Sequence, residues 1–176
     1  MKSISNTLKP IFTTIFFLLV VGFVSAATYT LTNTGDNGGT NPGAFAGTGT
    51  LRQAIVDANA NTGADVINFN ITGSGLFTIT LSGLLPLITD LVTINGYSQP
   101  VAVQGAIGSR TIMIVINGNS ITGRDGLFRF TSVSSGSSVN GLSIYNSGQD
   151  AEAITIEPGA SNIHIWDNYI GFLPNR

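Results

Sequence analysis

The chain has 176 residues, enough for one domain, with 22 glycines, no cysteine and only 9% charged residues. Its formal charge of −2 leaves it without the clustered positive charge that nucleic acid or an anionic membrane surface would need. With no thiol, disulfides are excluded, so packing and backbone hydrogen bonds must hold the fold together.

Residues 1–26 read as a secretory signal peptide. Lys2 and Lys9 precede an apolar stretch from Ile11 to Val24, and Val24-Ser25-Ala26 offers small residues for cleavage after Ala26 or Ala27. The apolar stretch falls short of the roughly 20 residues that span a bilayer, so no membrane span is expected after cleavage. Without those lysines, five arginines face nine acids, a formal charge of −4.

Residues 27–64 are expected to form an N-terminal strand, a loop and a capping helix. Thr28-Tyr-Thr-Leu-Thr32 alternates like a strand, and residues 33–50 form a Gly/Thr/Asn-rich loop with Pro42. Thr50 to Ala60 is the one convincing helix, with Thr50 as N-cap and Gln53 completing a capping box. Leu51, Ala54, Ile55 and Ala58 make its apolar stripe, and Asn61-Thr-Gly63 ends it.

From residue 65 to 176 the pattern is strands and turns. Strands are expected at Asp65–Ile71, Leu76–Leu81, Leu91–Asn95, Ile112–Asn117, Leu127–Phe130, Val139–Tyr145, Ala153–Ile156 and Asn162–Trp166. Val92-Thr-Ile-Asn-Gly-Tyr-Ser98 recurs as Ile114-Val-Ile-Asn-Gly-Asn-Ser120, an offset of 22, and Leu142-Ser-Ile-Tyr-Asn146 as Ile163-His-Ile-Trp-Asp167, an offset of 21. Such spacing predicts a solenoid with coils of that length. Val92/Ile94, Ile114/Ile116, Leu142/Ile144 and Ile163/Ile165 would then stack in register, with the following asparagines at left-handed corners. The fold class expected is all-β: a right-handed parallel β-helix with an N-terminal capping α-helix that covers the first coil's open end.

A family resemblance supports this expectation. Gly49-Thr-Leu-Arg-Gln-Ala-Ile55, Asp57-Ala-Asn59 and Gly63-Ala-Asp-Val-Ile-Asn-Phe69 resemble the N-terminal segment of secreted bacterial β-helix proteins. These are pectin-lyase-like in fold and named for a Cys-Ser-Leu-Arg-Glu-Ala signature. Ile79-Thr-Leu81, Leu85-Pro-Leu-Ile-Thr-Asp90, Val92–Gly96 and Asn168-Tyr-Ile-Gly171 continue the likeness, which spans residues 28–171. The chain departs at the signature itself, with Gly49-Thr50 in place of Cys-Ser and Gln53 in place of Glu. Members are usually longer, so the stop at Arg176 reads as a fragment whose last coil lacks a cap.

The resemblance implies an extracellular or cell-surface protein. An active site of that fold would need clustered acids, but here the acids are scattered. The nearest constellation is Arg124-Asp125 with Arg129, Asp150 and Glu152; such residues in Gly-rich turns usually serve the turn. His164, the lone histidine, should point outward, no metal or cofactor site is expected, and Arg52 should link the helix to the first coil.

Tyr97, Tyr145 and Trp166, with Asn146 and Asp167 beside them, are the candidate glycan-binding residues. Apolar rings flanked by amide and carboxylate groups suit sugar faces, although corner packing is the plainer reading of the same aromatics. The expected function is therefore an exported, non-catalytic structural or adhesive module whose partner is an extracellular polysaccharide or surface glycan. The alternative is a lyase or glycoside hydrolase whose catalytic coils are missing or degenerate here.

Overall fold

A computed structural model describes residues 25–36, 49–148 and 150–174. Residues 1–24 of the expected signal peptide and most of the expected loop, 37–48, lie outside them. Among the described residues, no helix is long and apolar enough to cross a membrane.

The architecture is mostly β. Among the described residues, eleven strands run parallel to their neighbours in three sheets, and one α-helix, α1, spans Leu51–Ala60 between the first two strands. One sheet orders β1 (Thr28–Leu31), β2 (Asp65–Phe69), β4 (Val92–Asn95), β7 (Ser138–Asn140) and β10 (His164–Trp166). The second orders β11 (Tyr169–Ile170), β8 (Leu142–Tyr145), β5 (Ile114–Asn117) and β3 (Phe77–Thr80). The third joins β6 (Gly126–Phe130) to β9 (Glu152–Ile156), with Ile88 bridging to Phe130. From β2 onward the chain visits first, second and third sheet in rotation, so successive visits to one sheet lie side by side.

Alternation along each strand sends every second side chain to the interior. Ile67, Ile94 and Val139 stack in register on the first sheet, and Ile79, Ile116 and Ile144 on the second; all six are fully buried. Phe128 and Phe130 supply the third wall. Buried residues of all three sheets and of α1 form one apolar cluster.

The period differs from the sequence expectation. In-register partners lie 26–28 residues apart where nothing intervenes, as in Asp65↔Val92, Ile114↔Leu142, Ser138↔His164 and Gly126↔Glu152. The layers that contain residues 96–113 are longer: Thr93↔Ser138 spans 45 residues and Phe77↔Ile114 spans 37. The offset of 22 instead relates β4 to β5, which lie on different sheets, so Val92/Ile94 do not stack on Ile114/Ile116. Ile114/Ile116 do stack on Leu142/Ile144, whereas Ile163/Ile165 do not, because Ile165 pairs with Val139. The repeat records a shared strand-then-corner signal that recurs on the first and second sheets alike.

Two further expectations are corrected. Val139–Tyr145 is two strands, broken at Gly141, and β11 follows Asp167 where no strand was expected. Left-handed backbone occurs at Asn146 and Asp167, with φ 56° and 53°, but not at Asn95, with φ −109°. Residues 96–98 form a 3-10 turn at that corner instead.

The helix follows its sequence closely. The Thr50 hydroxyl accepts from Gln53 N–H at 3.3 Å, and Leu51, Ala54, Ile55 and Ala58 are buried against β1 and β2. Arg52 is the link it was expected to be. Its guanidinium donates to both oxygens of Asp36 (2.5 and 2.7 Å) and to the carbonyls of Gly83 (2.9 Å) and Leu84 (2.6 Å). Asn59 adds a second tie, donating to Leu87 O and accepting from Thr89 N, both at 2.7 Å.

Candidate functional site

The five sequence-nominated residues fall into two groups at different corners. Tyr97, Trp166 and Asp167 lie where the first sheet turns into the second; Tyr145 and Asn146 lie where the second turns into the third. Trp166 is in register with Asn140, and Tyr145 with Asn117. The two aromatics are therefore not equivalent one layer apart, as the 21-residue offset implied. What they share is local: each ends a strand and is followed by a left-handed Asn or Asp.

At the first corner the polar groups are engaged with one another. Tyr97 OH donates to the Asp167 carbonyl at 3.3 Å, and Arg110 Nη1 donates to Asp167 Oδ1 at 3.1 Å. The Arg110 guanidinium sits 4.7 Å from the centroid of the Tyr169 ring, which in turn stacks at 5.0 Å on Phe172. Burial, and secondarily the Asp167 carboxylate, push the Tyr97 phenol above its ordinary pKa, although Arg110 opposes the shift. Arg110 is the central residue here, and sequence reasoning missed it. It lies 57 positions from Asp167, at the end of an excursion, with no motif around it. Trp166, 41% exposed, presents the corner's accessible apolar surface.

Arg110 also lines a cavity of about 420 Å³ between the 108–113 segment, Gly75-Leu76 and Pro174. A second, of about 270 Å³, adjoins it across Gly75 and Met113. The excursion beside them holds Val101 in left-handed backbone, φ 64°, with its side chain largely exposed.

The second corner is an amide cluster. Asn146 Nδ2 donates to Asn117 Oδ1 at 3.1 Å and to Asn119 Oδ1 at 3.2 Å. Asn117 Oδ1 also accepts from the Asn119 backbone N–H at 3.1 Å, and Asn117 Nδ2 reaches Thr80 Oγ1 at 3.4 Å. Tyr145 is half-buried beside them, while Thr80, Asn119 and Asn146 are exposed.

Two other acids are each held by one neighbour. Asp125 faces Arg129 at 3.6 Å, and Glu152 accepts from Thr155 at 2.7 Å, both at the third sheet, on a different corner from Asp167. Among the described residues no three acids or histidines converge as a metal site would require. His164 is exposed on β10. No protein-family model, curated protein or solved structure matches the chain.

Proposed function

We propose that the chain is an exported, non-catalytic right-handed parallel β-helix module, akin to the secreted pectin-lyase-like proteins it resembles. It serves outside the cell or at its surface as a structural or adhesive element that holds glycan along its flank. Three observations support the solenoid reading: rotation through three parallel sheets, in-register apolar stacks, and a helix lying over β1 and β2. The hand follows from the strong right-handed bias of parallel crossovers.

The observation that carries the functional reading is the chemistry of the corners. Half-exposed aromatic rings sit beside amide groups on a lateral surface, while Asp125 and Glu152 at the third sheet, and Asp167 at another corner, are each held by a neighbour of their own. Glycosidic chemistry uses paired carboxylates flanking one bond, and each of these acids is already occupied by a neighbouring Arg or Thr. Glycan-array binding of the purified chain tests the reading. Retained signal on one glycan class is the expected result; absence of signal on every glycan would contradict it.

A further inference from the structure

We infer that the sugar-contacting face is the outward row Thr80–Asn117–Tyr145, with Asn119 and Asn146 beside it, and that its ligand is an uncharged polysaccharide. This rests on the glycan-binding reading above and assigns it a place and a chemical class. The three row residues are in register on successive strands β3, β5 and β8, so they repeat at the strand spacing of about 4.8 Å. Their neighbours Ile79, Ile116 and Ile144 are fully buried, which turns the row itself outward.

The hydrogen bonding leaves specific groups for a ligand. Asn146 spends its Nδ2 on Asn117 and Asn119, and Asn119 spends its Oδ1 accepting that bond. Asn119 Nδ2 and Asn146 Oδ1 are then without a partner among the described residues, and both side chains are exposed. A donor and an acceptor held side by side match adjacent sugar hydroxyls, each of which donates and accepts. Asn117 is fixed by Thr80, Asn119 and Asn146, so less side-chain freedom remains to be lost on binding. None of the five residues is charged, so an acidic sugar finds no cation among them. At the other corner, by contrast, the Tyr97 hydroxyl and Arg110 Nη1 are both spent on Asp167.

The test is titration of the full chain with cellohexaose, mannohexaose and polygalacturonate, repeated for Asn119→Ala, Tyr145→Ala and Trp166→Ala, with thermal midpoints recorded. Asn119 is exposed, so its variant keeps the test sound even if Tyr145→Ala unfolds. The expected result is binding of a neutral hexaose, weakened roughly 3- to 10-fold by Asn119→Ala at unchanged midpoint and unaffected by Trp166→Ala. Binding that Trp166→Ala abolishes and Asn119→Ala leaves intact would overturn the assignment while sparing the glycan-binding reading. Preference for polygalacturonate would do the same. Absence of binding to all three, together with a blank array, would overturn both.

Discussion

Asp36 shows how a few residues hold the helix to the sheets. Burial alone would raise its carboxyl pKa, but hydrogen bonds from Arg52 and from the Ser82 backbone and hydroxyl outweigh that and hold it below the ordinary carboxylate value. A depressed folded pKa contributes stability above the unfolded pKa, about 3.9, and that stability is lost as pH falls through the lower folded value. Urea unfolding should therefore show the wild-type chain losing stability below about pH 4. Arg52→Ala leaves a buried carboxylate without its partner and should cost about 3–5 kcal/mol at neutral pH. An unchanged urea midpoint in that variant would show that the pair does not hold the helix. Arg52 was readable in advance because it lies beside the helix's apolar stripe, where a lone cation needs a structural reason. Arg110 was not, since its partners Asp167 and Tyr169 become neighbours only after two layers have stacked.

At the scale of elements, corners matter as much as strands. Gly141 separates β7 from β8 with φ 68°, and a Cβ placed there would come within 2.7 Å of the Tyr97 backbone nitrogen. Only glycine combines that backbone with that approach. Gly141→Ala should cost more than about 1 kcal/mol and displace Tyr97, read as a lower denaturation midpoint with altered tyrosine fluorescence. A variant as stable as the parent would mean that the break between the strands is not held there. Val139–Tyr145 read as one strand because a single glycine is a weak signal; the only other mark of the break is that the apolar alternation changes phase there, from Val139 to Leu142 and Ile144. The helix, by contrast, was legible almost to the residue because its cap, stripe and stop are all local.

For the molecule as a whole, the sequence conveyed parallel stacking but misstated its period. Strand-then-Asn motifs recur on both the first and the second sheet, so comparing Val92–Asn95 with Ile114–Asn117 measures the distance between two sheets. The 96–113 excursion then stretches every layer it interrupts, which hides the 26–28-residue spacing seen elsewhere. The register decides the function proposed, because the Thr80–Asn117–Tyr145 row exists only in the observed pairing. The last layer leaves Ile165, Trp166 and Ile170 partly exposed, where their counterparts in earlier layers are covered.

Cross-linking measures that register most directly, since the chain has no cysteine of its own. Thr93 and Ser138 are in-register neighbours whose hydroxyls lie 3.2 Å apart, within reach of a disulfide after substitution. Thr93→Cys with Ser138→Cys should close a disulfide under mild oxidation, detected by mass and by a mobility shift reversed on reduction. Thr93→Cys with Val115→Cys, the pairing that a 22-residue coil would require, should remain reduced. Ready closure of the second pair, with the first left as free thiols, would contradict the layer register and with it the row of side chains on which the proposed glycan face depends.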